Sequence, residues 1–153
     1  MTHEEYMQAA LLLAKKAEKK NEVPIGAIIV KDGKIIAKGY NKREKSNDAT
    51  AHAEIIAIKK ACKKLRDFRL SGCTMYVTLE PCTMCMGALL NSRIDTLVYG
   101  AEQNKPNILT AQEINDRAEL NHKTKIIGGI LKDETGAMIS NYFKQKRISK
   151  NDQ

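Results

Sequence analysis

The sequence predicts an α/β fold, a three-layer α/β/α sandwich around a central mixed five-stranded sheet, and three observations carry that expectation. Segments of helical and strand periodicity alternate along the chain, the pattern of a sheet covered on both faces. Asp32-Gly33 between two strand-like runs marks a tight hairpin, which makes one strand pair antiparallel. Further on, helices separate the strands, and such crossovers join parallel strands.

The first helix is expected over residues 2–20, with Tyr6, Ala10, Leu13 and Ala17 on one face and the solvated Lys15, Lys16, Lys19 and Lys20 on the other. A strand over Pro24–Lys31 is turned by Asp32-Gly33 into a second over Lys34–Tyr40. A helix over Ala51–Leu65 follows the capping types Asn47, Asp48 and Thr50 and repeats Ile55, Ile58, Cys62 and Leu65 at helical spacing. Strand Thr74–Leu79, helix Thr83–Asn91 and strand Ile94–Tyr99 come next, and a strand near Lys125–Ile127 and a helix from Leu131 to Lys146 complete the pattern. No repeat or low-complexity linker interrupts the 153 residues, so a single domain over 1–153 is expected.

Composition narrows the function classes. The longest apolar run, Ile25 to Val30, is too short to span a bilayer, and Glu4 and Glu5 stand where a signal peptide carries positive charge. A cytoplasmic protein without a membrane partner is expected. Four cysteines are too few and too unevenly placed for a disulfide scaffold, and Cys62 and Cys73 read as core residues. The 26 Lys and Arg exceed the 18 Asp and Glu, a net charge of +8 that favours a polyanionic partner. Near the end, Lys144, Lys146, Arg147 and Lys150 accompany Tyr142 and Phe143. Those rings either stack on bases beside phosphate-seeking charges or simply anchor the last helix to the sheet.

The chemistry is concentrated in two short stretches. Ala51-His52-Ala53-Glu54 and Glu80-Pro81-Cys82-Thr83-Met84-Cys85 read as H-x-E followed by P-C-x-x-C. One imidazole and two thiolates give zinc three protein ligands, which leaves its fourth tetrahedral position open, as a catalytic site requires. Zinc lowers the pKa of a bound water from about 15.7 to roughly 7, and a carboxylate such as Glu54 must then move the protons. On a regular helix an offset of two turns side chains to nearly opposite faces, so His52 and Glu54 converge only at a helix start. Helix N-terminal amides and the metal both favour the thiolate form of Cys82 and Cys85.

Each residue has a blander reading. A single buried His at a helix start is ordinarily a cap or core residue, and a C-x-x-C after a strand also suits a thioredoxin-like redox pair. The upstream His-x-Glu favours the metal, because a dithiol oxidoreductase uses neither group. Glu80 reads as structural.

The segments Glu22 to Ala27, Thr50 to Glu54, Tyr76 to Cys85 and Ser92-Arg93-Ile94 resemble the bacterial tRNA-specific adenosine deaminases of the TadA family, over nearly the whole chain. The H-x-E…P-C-x-x-C pattern is the known signature of zinc deaminases. The resemblance implies a cytidine deaminase-like fold and hydrolytic deamination of adenosine to inosine at the wobble position of a tRNA anticodon. It implies one Zn2+ per chain on His52, Cys82 and Cys85, with Glu54 as the proton carrier. It further implies that Asn41 reads the base, although an Asn after Gly39-Tyr40 is equally a plain turn residue. Ile25, Gly26 and the backbone around Glu80 and Pro81 would line the pocket. Lys105, His122, Phe143, Lys146 and Arg147 are the candidate contacts to the anticodon stem-loop, and Asn121-His122 is a further mark of the family.

The chain also departs from that family. After Gly100-Ala101 the family carries an aspartate, a lysine and a glycine-rich turn, whereas here the loop is Glu102-Gln103-Asn104-Lys105-Pro106-Asn107-Ile108. Gln103 removes a carboxylate that could accept from a ribose 2′-hydroxyl. The alternatives are therefore a deaminase of a free base or nucleoside such as guanine or cytosine, or of another polynucleotide including single-stranded DNA. A zinc-stabilised or redox binding module is the third reading, and it would have no use for Glu54. Members of the family are commonly homodimers, and Met84, Met86 and Leu90 offer either apolar surface for pairing or ordinary core.

Overall fold

The computed structural model describes residues 1–106, 108–117 and 122–151; Asn107 and Asn121 lie outside the described residues. In chain order the elements are α1 (His3–Lys19), β1 (Gly26–Lys31), β2 (Lys34–Tyr40), α2 (Arg43–Ser46), α3 (Ala53–Leu65), β3 (Cys73–Leu79), α4 (Thr83–Asn91), β4 (Thr96–Ala101), α5 (Ala111–Arg117), β5 (Lys125–Ile127) and α6 (Lys132–Asn151). They form the expected mixed five-stranded sheet, in the order β2-β1-β3-β4-β5. Strand β1 is antiparallel to both neighbours, while β3, β4 and β5 are mutually parallel. Both β2 and β3 oppose β1, so they run the same way, and α3 is a crossover that skips one strand.

Strand alternation divides the sheet between two cores. Ala27, Ile29, Met75, Val77 and Leu97 pack with Ala53, Ala57 and Ala61 of α3 and with Met86 and Leu89 of α4. Ile28, Val30, Tyr76 and Val98 pack on the other face with Tyr6, Met7, Ala10 and Leu13 of α1. Leu131, just before α6, joins this second core. No helix of the described residues is long and apolar enough to cross a membrane.

The α3 face that meets the sheet differs from the one the large apolar residues suggested. Ala53, Ala57 and Ala61 are fully buried, whereas Ile55, Cys62 and Leu65 are only partly so. The reason is close approach: a Cβ added to Gly39 would lie 2.4 Å from the Ala53 carbonyl oxygen and 2.9 Å from the Ala57 nitrogen. Gly26 plays the same part under α1, where an added Cβ would lie 2.1 Å from the Ala10 carbonyl oxygen. Gly26 is therefore a helix-packing glycine.

Several boundaries move for local reasons. Strand β1 starts after Pro24 and Ile25, whose segment is taken up by a tight turn from Ile25 N–H to the Val23 carbonyl at 2.8 Å. Strand β4 starts at Thr96, because Ile94 is buried in the preceding turn with its N–H on the Leu89 carbonyl. Helices α2 and α5 were not anticipated, although Thr110 and Glu113 form a capping-box spacing in which Thr110 Oγ1 accepts the Glu113 N–H at 3.1 Å. Of the three residues offered as a pairing surface, Met86 and Leu90 are fully buried in the chain's own core, and only Met84 is exposed, at 37%.

Gly39→Ala is expected to lower stability by about 3 kcal/mol, towards the top of the ordinary overpacking range, as a fall in urea midpoint at unchanged slope. Gly87 on α4 is the control, since a Cβ there meets nothing within 4 Å. Gly87→Ala should gain about 0.5–1 kcal/mol from helix backbone entropy.

Candidate active site

The C-terminal ends of β2, β3 and β4 share one edge of the sheet, the edge where ligands bind in open α/β folds. His52 precedes α3 and Cys82 precedes α4 as their N-cap residues, both with extended backbone (φ −76°, ψ 152° and φ −73°, ψ 175°). Neither side chain caps its helix. Imidazole and thiol are poor caps compared with Ser, Thr, Asp or Asn, so both remain available to face each other. Cys85 lies one turn into α4 and completes the group.

The first orphan N–H of α3 is met from elsewhere: Asn41 Oδ1 accepts the Ala53 N–H at 2.8 Å. The capping types Asn47, Asp48 and Thr50 do not cap α3 and instead build a separate turn, in which Asp48 Oδ1 accepts from Thr50 N–H and Oγ1 at 2.9 and 2.7 Å. Asn41 is thus more than a turn residue. With Oδ1 engaged, its Nδ2 has no hydrogen-bond partner among the described residues and remains as a donor at the cavity wall.

His52 Nδ1 lies 3.7 Å from Cys82 Sγ and 3.6 Å from Cys85 Sγ, and the three ligand atoms all fall within 4.8 Å of one another. Zinc bonds of about 2.3 Å to sulfur and 2.0–2.1 Å to nitrogen give a tetrahedral N···S edge of about 3.6 Å. The donor set and its spacing therefore fit that ion. Accepting a hydrogen bond from the Cys85 thiol brings the Cys82 thiol down to about 3, and the same bond, with burial, pushes Cys85 upward. The His52 imidazole is raised, first by its hydrogen bond to Cys82.

Glu54 sits on the first turn of α3, 4% exposed. Because His52 stands outside the helix as its N-cap, the two side chains converge on one cavity despite their offset of two. Burial raises the Glu54 carboxyl to about 7, and the negative charge of Cys82 adds to the effect.

The cavity measures about 660 Å³, within the range of small-ligand sites. Ile25, Asn41 and Glu80 line it, and so do Lys105, Phe143 and Arg147. Pro81 is buried but does not line it. Lys146 does not either: its ammonium covers the Tyr142 ring at 5.4 Å, in a groove between α6 and the end of α1. Tyr142 donates to the Asn21 carbonyl at 3.3 Å and so anchors α6, whereas the neighbouring Phe143 is exposed at the cavity. His122 stands outside the lining, with Nε2 2.7 Å from the Ile94 carbonyl oxygen.

Two rim segments depend on buried carboxylates, Glu22, which the sequence did not single out, and Glu80, which it marks as structural. Glu22, 2% exposed, accepts the N–H groups of Glu44 and Lys45 at 3.1 and 2.9 Å and so holds α2. This places Arg43, a lining residue that sequence reasoning missed, at the cavity; its one sequence signal is its position two after Asn41. Glu80 accepts the N–H groups of Gln103 and Ala111 at 3.0 and 2.8 Å.

A family model described as MafB19-like deaminase matches residues 1–147. The tRNA-specific adenosine deaminase of Bacillus subtilis (strain 168) is 45% identical over 152 residues, 98% of this chain and 94% of that protein. A solved structure from a study of A-to-I editing by tRNA:A34 deaminases at the wobble position of transfer RNA superposes with a TM-score of 0.81 at 39% identity, covering 88% of this chain and 98% of its own. A guanine deaminase from Bacillus subtilis superposes with a TM-score of 0.64 at 46% identity, over 67% of this chain and 66% of that one. On a family model spanning residues 1–147 and 45% identity across nearly its whole length, the chain belongs to the MafB19-like deaminases and to the family of tRNA-specific adenosine deaminases.

Proposed function

We propose that this chain hydrolyses adenosine to inosine at the wobble position of a tRNA anticodon, releasing ammonia, as a single domain that works in the cytoplasm as a homodimer. The observation that carries the proposal is the three-donor group of His52, Cys82 and Cys85 beside the buried Glu54, at the floor of a cavity whose rim bears Arg43, Lys105 and Arg147. The four cysteines are free, which suits a reducing compartment.

His52, Cys82 and Cys85 would hold one zinc ion per chain. Zinc held there supplies Lewis acidity that brings the pKa of water from about 15.7 to about 7. Glu54, a buried carboxyl beside the three donors, suits a group that takes a proton and returns it. It receives a proton from the water whose oxygen bonds to C6 and delivers it to the purine ring nitrogen; it then takes the second proton from the new C6 hydroxyl and passes it to the departing amine as the C6–N bond breaks, so that water and adenosine become inosine and ammonia. Asn41 Nδ2 donates to the base edge while its Oδ1 stays fixed on α3. The target base must be splayed from its stack to enter, and Phe143 at the rim offers a ring against which a neighbouring base stacks. Lys105 and Arg147 would meet the backbone phosphates.

The likeness to a guanine deaminase supports a second reading, deamination of a free base. Inosine formation on an RNA anticodon stem-loop, with the matching DNA hairpin and free nucleosides and bases alongside, separates the two. Conversion of the RNA is expected, with KM rising steeply with salt because phosphate contacts release counterions. Ammonia from a free base without reaction of the RNA would move the assignment to the second reading.

Glu54→Gln should lower kcat by about 10³-fold, within the range for general acid–base groups, while metal analysis still finds one zinc per chain. Retained activity would remove Glu54 from the chemistry. Cys82→Ala should lose both the zinc and the activity, and a chelator should do the same to the unaltered protein. Sedimentation at micromolar concentration should show a dimer, and a monomer alone would sink that part of the proposal.

A further inference from the structure

Glu80 is nearly fully buried, yet the proposed chemistry gives its carboxylate nothing to do. Its Oε1 accepts the Gln103 N–H at 3.0 Å and its Oε2 the Ala111 N–H at 2.8 Å. The amide Nε2 of Gln103 donates back to the Glu80 carbonyl oxygen at 2.9 Å. The backbone at both ends of residues 103–111 is thereby closed on one residue of the β3–α4 turn, the turn that leads into Cys82. Asn104 and Lys105, which follow Gln103 directly, line the cavity.

We propose that Glu80 and Gln103 are positioning residues that fix Asn104 and Lys105 on the cavity rim, so that their loss weakens capture of the polynucleotide more than it slows the chemistry. This inference rests on the RNA reading above. Holding a rim segment in its binding conformation removes part of the ordering cost of association. The side chain at 103 must be a donor. An amide can donate to the Glu80 carbonyl, whereas a carboxylate would set acceptor against acceptor beside a second, buried carboxylate.

The test uses the zinc-loaded full chain on the RNA anticodon stem-loop, with Gln103→Ala, Gln103→Glu, Lys105→Ala and the Gln103→Ala/Lys105→Ala pair. KM is expected to rise about tenfold in Gln103→Ala and further in Gln103→Glu, with kcat changed by less than about twofold and zinc content unmoved. The slope of log KM against log salt should fall by about one, as it does in Lys105→Ala. The double variant should be no weaker than Lys105→Ala alone, because Gln103 acts through the residue it positions. Additive losses in the double variant, or an unchanged KM in both Gln103 variants, overturn the proposal. Glu80→Gln keeps the size and replaces one acceptor by a donor, and it should give the same KM-dominated loss; if it does not fold, the Gln103 pair decides.

Amide hydrogen exchange gives a readout independent of activity. Gln103→Glu should accelerate exchange at the amides of residue 103 and Ala111 at least about tenfold. Unchanged exchange overturns the clamp. Accelerated exchange in a protein that does not act on RNA supports the clamp and sinks the functional reading on which its purpose rests.

Discussion

The site depends on two helices whose N-cap side chains are left out of helix hydrogen bonding. His52 and Cys82 hold the cap positions of α3 and α4 without capping, and this frees a nitrogen and a sulfur to stand 3.7 Å apart across the sheet edge. Replacing a good cap with a poor one costs about 1 kcal/mol per helix. For α3 that cost is offset by Asn41, whose Oδ1 takes the Ala53 N–H from outside the helix. One amide thus completes a helix start and presents a donor to the cavity, which ties the cavity wall to the element that carries His52 and Glu54.

The sheet supplies the precision this arrangement needs. Gly39 and Gly26 let α3 and α1 lie backbone against backbone on β2 and β1, with alanines at the contact. Small side chains leave few rotamers, so the helix starts are fixed more tightly than a contact between long flexible residues would fix them. Because β2, β3 and β4 run the same way, their C-terminal ends deliver Asn41, Glu80 and the residues after Ala101 to a single edge.

What could be read from the sequence was what is local in it. His52 with Glu54, and Cys82 with Cys85, are close in the chain, and their chemistry follows from residue type and offset. The Asp32-Gly33 hairpin and the α4 limits have the same local character. The closest contact of α3 with the sheet is not marked by its large apolar residues, because it is made by alanines whose approach Gly39 permits. Helix α2 is held by Glu22 from a distant segment, and no local signal announces it. His122 and Lys146 lie outside the cavity lining: a carbonyl from the α4–β4 turn engages one, and the other covers the Tyr142 ring on the neighbouring face of α6. Phe143 and Arg147, four apart and so on one face of that helix, do line the cavity.

The carboxylates of Glu22 and Glu80 each hold a part of the cavity rim by accepting main-chain N–H groups, and only at Gln103 does a side chain add a bond of its own, from Nε2 to the Glu80 carbonyl oxygen. Every residue type except proline brings the same donor to such a bond. The side chains of Glu44, Lys45 and Ala111 are therefore free of any duty in the attachment itself. Away from Gln103, the rim of this cavity is a surface on which substitutions can accumulate while its framework stays in place, so the chemistry it presents can be changed by evolution or by engineering without rebuilding the floor beneath it.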